Sequence, residues 1–434
     1  MPEWFWVILS INVFLVLIFF GIPIAFSGML SGLTLFLLLY GELTVAGMTF
    51  QNLLIASVSN YSMTVIPLFV FMGYLAFHSG VGKEIYKVAS AWVGRLPGGL
   101  AVATIFACAL FGAISGSSLA ATAMFAKISK PELDKAKYHW ALSTGSVASA
   151  GTLASLIPPS VLIVIYGIIA EQSIGKLLIA GFIPGFISAM LYALMIIVRC
   201  ILNPSLGPIG PTTTLKEKIY ALPGTTEVFL VMVIILGGIY SGFFTPTEAG
   251  AWSAFIMLIF TFLRGRKIDF QLVRRALRES VVLSSIIFLA LVGMEMMTKA
   301  LTSSGAIGAI VDLSISLPVS RYILLFFVFI VYVILGAFIV APGMMVLTVP
   351  FVLPVLVTAG FDPIWIGIIV IKFCEIGMIT PPIGMNVYVV APIVGRDVID
   401  CFRSIVPFLA IDIFTVLLFV VFPEIITYVP SLMD

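Results

Sequence analysis

The most prominent pattern along the chain is a series of long apolar runs without a charged residue, such as Phe5 to Phe20, Val228 to Tyr240 and Tyr322 to Ala341. A bilayer core about 30 Å thick is crossed by roughly 20 apolar residues of α-helix. Backbone amides in lipid must bond within their own segment, which favours helices. Two-residue alternation is weak, which argues against a membrane β-barrel. The pattern therefore predicts an all-α polytopic membrane protein.

The runs predict five membrane crossings in each half of the chain. The predicted crossings are 4–20, 24–40, 62–79, 139–170, 177–199, 226–243, 246–264, 281–300, 363–393 and 404–422. Two further apolar stretches, 99–130 and 320–358, are interrupted near the middle and are interpreted as re-entrant helical hairpins. Segments 45–58 and 268–279 are interpreted as interfacial helices in the headgroup plane, with a solvated linker helix as the alternative for the second.

The distribution of basic residues supports hairpins in place of full crossings. With both termini outside, nearly all of the 22 Lys and Arg residues fall in predicted cytoplasmic segments. The exceptions are Lys176, Lys299, Arg321 and Lys372. This bias is expected from the positive-inside rule. Counting either hairpin as one crossing would invert every later loop and destroy the bias.

Composition agrees with a membrane protein and excludes several other classes. The chain is 61% hydrophobic and 10% charged, whereas a soluble protein carries about a quarter charged residues. A net charge of +2 gives no basic surface for nucleic acid. The cysteines have no metal-ligand spacing and are interpreted as packing residues. They are Cys108, Cys200, Cys374 and Cys401.

The two halves of the chain match each other at a spacing of about 223 residues. The matched positions are 21–25 with 245–249, 96–97 with 317–318, 111–113 with 335–337, 157–159 with 380–382, and Pro184 with Pro407. The halves are therefore interpreted as repeats, 1–224 and 225–434. An odd number of crossings per repeat would insert the second upside down, an arrangement typical of secondary transporters.

The interrupted segments carry the candidate chemistry. The first hairpin tip, Gly112 to Ser118, and its counterpart, Gly336 to Gly343, are rich in small residues. Such residues let the backbone approach a ligand, and helix ends there can attract ions. Tight helix packing by small residues is the alternative.

Paired prolines break two predicted spans, at Pro158-Pro159 within 139–170 and at Pro381-Pro382 within 363–393. Each pair removes two amide donors, so the freed backbone groups should line a cavity or bind an ion. A simple proline kink is the alternative. Polar or flexible groups lie beside both breaks, namely Ser155, Ser160, Thr380, Gly384 and Asn386.

Charged residues inside predicted spans need partners. Lys372 and Glu375 are three apart on one helix and are interpreted as a buried pair. The alternatives are that Glu375 carries a proton or orients the broken loop. Glu295 and Lys299 allow the same pairing one span earlier. Asp412 is a lone acid with no partner evident from the sequence.

Over essentially its whole length, the chain resembles the large membrane subunit of tripartite ATP-independent periplasmic (TRAP) transporters. The resemblance is carried by Phe244 to Ala249, Gly112 to Ala121 and Glu375 to Gly384, with support from 347–350 and 353–354. It implies Na⁺-coupled import, across the bacterial inner membrane, of an organic acid such as a C4-dicarboxylate or sialic acid. A periplasmic binding protein would deliver the acid, and a separate small four-span subunit would complete the complex.

The resemblance also implies an elevator mechanism and a set of binding residues. The scaffold would be 1–79 and 226–300, including both interfacial segments, and the remainder would form the transport domain. Two or more Na⁺ ions are implied. One would be held by Ser115, Ser117, Ser118, Ile157 and Pro158, and the other by Gly336, Ala337, Thr380 and Gly384. The substrate carboxylate would lie near Ser117, Pro342 and Asn386. Many relatives have an acidic residue where this chain has Val340, which puts the second ion site in question.

Three other functions compete with this hypothesis. A divalent-anion symporter that works alone would share the hairpins and repeats but need no periplasmic partner. An intramembrane serine hydrolase using Ser117 would need a base within hydrogen-bond reach, and neither histidine is predicted at that depth. A passive assembly scaffold would leave the broken helices unexplained. A transporter, and not an enzyme, is therefore the expected function.

Overall fold

A computed structural model of the chain describes residues 3–210, 213–264, 270–316 and 318–433. These residues form helices joined by turns, and no β-strand occurs among them, which confirms the predicted all-α class. The helices of the first half are α1 (Glu3–Phe19), α2 (Ile24–Tyr40), α3 (Leu43–Ser59), α4 (Val65–Ser79), α5 (Val81–Val93), α6 (Gly99–Ser115), α7 (Ser118–Lys135), α8 (Trp140–Ala150), α9 (Val161–Ile169) and α10 (Ile174–Leu202).

The second half begins with a segment in which short α-helices are joined by a 3₁₀ turn and a π-helical turn. Its helices are α11 (Leu215–Ala221), α12 (Thr226–Met232), α13 (Gly238–Tyr240), α14 (Pro246–Arg264), α15 (Phe270–Ser303), α16 (Ala306–Ser316), α17 (Arg321–Gly336), α18 (Ala341–Thr358), α19 (Pro363–Ile379), α20 (Met385–Val394), α21 (Val398–Val421) and α22 (Glu424–Ser431). A 3₁₀ turn joins α11 to α12, and a π-helical turn joins α12 to α13.

Seven helical segments among the described residues are long and apolar enough to cross a membrane. They are Tyr61–Ser79, Ile174–Leu202, Leu215–Tyr240, Pro246–Arg264, Phe270–Ser303, Ala341–Thr358 and Val398–Val421. Large apolar side chains on these helices point outward, for example Leu194, Phe229 and Leu263. An apolar outer surface of this kind is what lipid requires.

Helices α2 and α15 pack backbone against backbone. A Cβ added to Gly28 would lie 2.7 Å from the carbonyl oxygen of Gly293, and one added to Gly293 would lie 2.1 Å from that of Ala25. Small residues at a helix interface permit this approach in membranes. His78 of α4 contacts Glu279 of α15 at 2.9 Å, so α4 joins the same bundle.

The long helix α15 differs from the prediction. It runs without interruption through 34 residues, about 51 Å at 1.5 Å per residue, so 270–279 continue directly into the predicted span 281–300. No Gly or Pro occurs within 270–279 to end the helix. These residues therefore do not form a separate interfacial helix. Residues 268 and 269 of that predicted segment lie outside the described residues, as do Arg266, Lys267 and Leu317, which the charge and repeat patterns used.

Helices α5 and α16 are among those that were not predicted. Each follows directly on a longer helix and is too short to cross a membrane. On α5 the apolar residues Val81, Ile85 and Val88 are buried, while Lys83 and Lys87 point outward. A one-sided apolar face gives no signal to a search for uninterrupted hydrophobic stretches.

The same order of elements occurs in both halves. A helical hairpin (α6–α7 or α17–α18) is followed by a helix interrupted at a proline pair (α8–α9 or α19–α20). A long helix with an internal proline comes next, Pro184 in α10 and Pro407 in α21. Helix α19 is buried on every side from Trp365 to Ile379 and forms the centre of the molecule. The inverted membrane orientation of the halves stays a prediction.

Candidate functional site

The tip of the first hairpin is a two-residue turn. Helix α6 ends at Ser115, Gly116 takes a left-handed conformation (φ 58°), and α7 begins at Ser118. A glycine adopts this conformation without strain. The side chain of Ser117 caps α7 by accepting a hydrogen bond from the amide of Ala120, 3.4 Å away. The N-terminal turn of α7 therefore lies at the tip of the hairpin.

The tip packs directly on the first broken helix. A Cβ added to Gly112 would lie 2.4 Å from the Cα of Ala154, and one added to Gly116 would lie 2.9 Å from the amide nitrogen of Val161. Ala154 precedes the break and Val161 follows it. The absence of side chains at these glycines is thus required for the hairpin to contact both sides of the break.

The first break leaves a second helix N-terminus beside the tip. Helix α8 ends at Ala150, a 3₁₀ turn covers Gly151–Ser155, and α9 begins at Val161. The Pro158-Pro159 peptide is cis, and so is Pro381-Pro382 in the second break. The paired prolines therefore do interrupt both helices, as their missing amide donors suggested.

The second hairpin and the second break have a similar relationship. Residues 337–340 separate α17 from α18, and residues 380–384 separate α19 from α20. A Cβ added to Gly336 would lie 2.5 Å from the Cα of Gly377, so the hairpin tip meets α19 just before its break. Here again the contact is between backbones.

The two halves of the chain are joined by a buried hydrogen bond. The side-chain amide of Asn386, in the first turn of α20, donates to the hydroxyl of Ser118 in the first turn of α7 at 2.9 Å. Both residues are buried. Asn386 therefore fixes the first hairpin against the second broken helix.

A cavity of about 300 Å³ lies where these elements meet α4 and α15. The N-terminal turns of α7, α9 and α18 line one side, and α4 and α15 form an apolar wall opposite. The lining includes Ser115, Ser117, Ser118, Ser155, Val161, Pro342 and Glu375, and the wall includes Val70, Phe77, Leu283, Ile286 and Ile287. Its volume is at the lower end of the range for small-molecule sites, about 300–1,000 Å³.

Three helix N-termini in the cavity lining favour a bound anion, whereas the carboxylate of Glu375 in the same lining disfavours one. Each helix N-terminus carries unpaired amides and roughly half a positive charge. Three such termini, those of α7, α9 and α18, converge here. Backbone amides and dipoles aimed at one point form a site for a carboxylate or phosphate.

Only some of the predicted site residues line this cavity, although Asn386 contacts it indirectly through its hydrogen bond to Ser118. Ser115, Ser117, Ser118 and Pro342 line the cavity. The others do not appear in its lining within the described chain: Ile157, Pro158, Gly336, Ala337, Thr380, Gly384 and Asn386. The hydroxyl of Thr380 donates to the carbonyl of Ile376 at 2.6 Å.

Sequence reasoning missed the apolar wall. Leu283, Ile286 and Ile287 belong to a long apolar stretch that looks like any lipid-facing helix, so no local signal identifies them. Glu375 was noted for its charge, but its place at the cavity was not predicted.

The expected ion pair between Lys372 and Glu375 is wrong. The ammonium of Lys372 forms an ion pair with the carboxylate of Asp412, which also accepts a hydrogen bond from the hydroxyl of Tyr192. The side chains of Lys372 and Asp412 are 2% and 1% exposed. Because α19 is surrounded on all sides, residues three apart face different neighbours, α21 for Lys372 and the cavity for Glu375.

The other predicted pair is present. Glu295 and Lys299 lie 3.7 Å apart on the partly exposed surface of α15. Such an exposed pair contributes little to stability.

Comparison with known proteins decides the family. Residues 11–425 match the family described as the tripartite ATP-independent periplasmic transporter, DctM component. The chain belongs to this family. A C4-dicarboxylate TRAP transporter large permease protein of Pseudomonas aeruginosa is 34% identical over 372 residues, which cover 86% of this chain and 85% of that protein. A sialic acid TRAP transporter large permease protein of Vibrio cholerae is 31% identical and covers 98% of each chain.

Other similarities concern the fold and the length of the relatives. The YdaH transporter of Alcanivorax borkumensis has the same fold, with a TM-score of 0.56, 12% identity, and coverage of 85% of this chain and 88% of that one. An isethionate TRAP transporter permease protein of Oleidesulfovibrio alaskensis is 30% identical over 87% of this chain but only 58% of its own length, so the family includes longer permeases.

Family membership settles the broad function of the chain. TRAP permeases are multi-pass membrane transporters and not enzymes, which excludes the serine hydrolase. They work with a periplasmic binding protein and usually with a small membrane subunit.

Replacement of Asn386 tests the link between the halves. Because its amide bonds the Ser118 hydroxyl in a buried place, Asn386→Ala is expected to destabilise the protein by about 1–3 kcal/mol. In a double-mutant cycle with Ser118→Ala, thermal unfolding in detergent should give a coupling of at least about 0.5 kcal/mol. Asn12→Ala is the control, since Asn12 bonds only to Ile8 of its own helix on the exposed surface. Additive effects of the two changes would contradict a direct bond.

Proposed function

We propose that the protein imports a small organic acid together with Na⁺, and that a periplasmic binding protein delivers the acid. The observation that carries the proposal is the convergence of three helix N-termini on one cavity of about 300 Å³. A substrate carboxylate would lie between Ser117 at the start of α7 and Pro342 at the start of α18. The apolar wall from α4 and α15 would face the carbon skeleton.

The proposed substrate class is a C4-dicarboxylate or a sugar acid such as sialic acid. Relatives named for these acids are about one third identical over most of the chain. The positive ends of α7, α9 and α18 suit either acid, because both carry a carboxylate. Asn386 is proposed to act through Ser118 at the tip, since its amide group is already engaged there.

The proposed Na⁺ sites use backbone and hydroxyl oxygens at helix C-terminal ends. Helices α6, α17 and α19 all end near a tip or break, and the final carbonyls of a helix carry partial negative charge. One ion would be bound by oxygens of Ser115, Ser117, Ser118, Ile157 and Pro158. A second would be bound by Gly336, Ala337, Thr380 and Gly384. Val340, which precedes α18, supplies no carboxylate to the second site.

The proposed mechanism is an elevator. The cavity is lined by residues of the hairpins and broken helices and by residues of α4 and α15, and in the proposed mechanism it would separate a transport domain from a scaffold. The transport domain would slide past that apolar wall and carry acid and Na⁺ together. The chain would lie in the bacterial inner membrane with both termini periplasmic, beside a separate small four-span subunit.

Uptake into proteoliposomes tests the proposal. Vesicles holding the protein and its small membrane subunit are given radiolabelled C4-dicarboxylate or sialic acid, with the periplasmic binding protein outside. Uptake is expected with an inward Na⁺ gradient and should fall to the level of empty vesicles when choline replaces Na⁺. Equal uptake in choline would reject sodium coupling. Full uptake without the binding protein would instead favour the stand-alone symporter.

A further inference from the structure

The carboxylate of Glu375 is buried at the cavity without a protein partner. The residue is 1% exposed, lies on α19 and lines the cavity. Neither carboxylate oxygen makes a hydrogen bond within the described part of the chain. A buried carboxylate is strongly disfavoured unless it is paired, binds a cation or takes up a proton. Neither of the two proposed Na⁺ sites includes Glu375. The burial of its unpaired carboxylate therefore requires another explanation.

The neighbouring lysine does not provide that explanation. Lys372 forms its ion pair with Asp412, and its ammonium lies 5.9 Å from the ring centroid of Tyr192. The lysine is thus held by groups from α10 and α21, and no hydrogen bond joins it to Glu375 in the described chain. The nearest fixed positive charge is engaged elsewhere.

Several neutral oxygens surround the same point. The hydroxyl of Ser115, at the C-terminal end of α6, is buried and has no hydrogen-bond partner in the described chain. The hydroxyl groups of Ser118 and Ser155 flank the Glu375 carboxylate. All four residues line the cavity. One carboxylate with several hydroxyl and carbonyl oxygens is a ligand set for a hard cation, which prefers oxygen.

We propose that Glu375 and Ser115 are ligands of a Na⁺ ion at the floor of the cavity. This inference rests on the proposed function, because it adds a charged ligand, Glu375, to the first proposed Na⁺ site, which already includes Ser115 and Ser118. A substrate carboxylate cannot approach a bare Glu375, since the two negative charges repel each other in a place of low dielectric constant. A cation between them removes the repulsion and makes binding of acid and Na⁺ mutually dependent. Glu375 would also supply the negative charge that Val340 does not.

Sodium-induced stabilisation of the purified full-length complex tests the assignment. Anything that binds the folded protein raises its thermal midpoint. The midpoint is measured as NaCl replaces choline chloride at constant ionic strength and pH, without substrate. Glu375→Gln keeps the shape of the side chain but removes its charge. The Na⁺ concentration that gives half of the rise in thermal midpoint is expected to increase at least about tenfold in this variant, equivalent to about 1.4 kcal/mol.

Matched variants separate ligand loss from general damage. Ser115→Ala should shift the same concentration in the same direction by a smaller factor. Glu295→Gln is the control for Glu375→Gln, because Glu295 lies on the partly exposed face of α15 in its pair with Lys299. Ser253→Ala is the control for Ser115→Ala, because the Ser253 hydroxyl is also buried and unpartnered but does not line the cavity. Both controls should stay within about twofold of the wild type.

The outcomes are distinguishable. If the wild-type protein shows no response to Na⁺, sodium coupling itself fails. If the wild type responds and Glu375→Gln gives the same curve, only the Glu375 assignment is wrong. A variant that alters the pH dependence of uptake but leaves the Na⁺ curve unchanged would identify a proton carrier and would equally reject the sodium ligand. If Glu375→Gln does not fold, Glu375→Asp, which keeps the charge on a shorter side chain, replaces it, and a Na⁺ curve equal to that of the wild type rejects the assignment.

Discussion

Replacing Asp412 with asparagine is expected to destabilise the protein by about 3–5 kcal/mol, the cost of leaving one member of a buried ion pair alone. The variant would leave Lys372 without its carboxylate partner in a place where it is 2% exposed. The hydrogen bond from Tyr192 would also lose its charged acceptor. Because the three residues belong to α19, α21 and α10, the loss should loosen the packing around the central helix. The effect is measured by thermal unfolding in detergent. The fraction of the solubilised protein that is monodisperse serves as a second readout.

Two further variants make that prediction specific. Lys372→Met combined with Asp412→Leu should recover most of the lost stability, since an apolar pair of similar size avoids the buried charge. Asp400→Asn breaks a pair with Arg403 that is largely exposed and should change stability by no more than about 0.5 kcal/mol. If Asp412→Asn behaved like Asp400→Asn, the buried pair would not have the role described here.

A methyl group at Gly112 is expected to reduce uptake at least about tenfold, because overpacking displaces groups that must be held within about 0.5 Å. A Cβ there would lie 2.4 Å from the Cα of Ala154, a backbone atom that cannot rotate away as the end of a flexible side chain could. Gly112→Ala would therefore push the first hairpin away from the first broken helix. The tip carries Ser117 and the break carries the start of α9, so the three N-termini would no longer converge.

The control for Gly112→Ala is Gly308→Ala. Gly308 also lies within a helix, α16, but nothing lies within 4 Å of its added Cβ. This change should leave uptake intact and can slightly stabilise the helix, since alanine favours helix more than glycine does. Equal loss of uptake in both variants would show that the hairpin contact at Gly112 has no special importance.

Several parts of the fold could be predicted because local chemistry determines them. Uninterrupted apolar runs indicate helices that cross lipid, and paired prolines such as Pro158-Pro159 must end a helix wherever they occur. Gly116 and Gly384 mark turns for the same local reason, since both take a left-handed conformation. Hairpins and broken helices were therefore visible in the sequence alone.

Other features depend on residues far apart in the chain. The partner of Lys372 is Asp412, 40 positions away, whereas the near neighbour Glu375 faces another direction. Ser118 and Asn386 are separated by 268 positions, and no pattern in either segment indicates their bond. The continuity of α15 was missed because charged residues near its start resemble a surface segment. Tertiary packing decides which faces of the buried helices contact each other. No local pattern in a single sequence indicates these contacts.

The most direct test of the account is a structure determined with Na⁺ and a transported acid bound. The predicted result is a carboxylate in the cavity, with an oxygen about 3 Å from backbone amides in the first turn of at least one of α7, α9 and α18. The acid's carbon skeleton should face Leu283 and Ile287. An acid bound outside this cavity, or one inside it that contacts none of the three helix N-termini, would contradict the account.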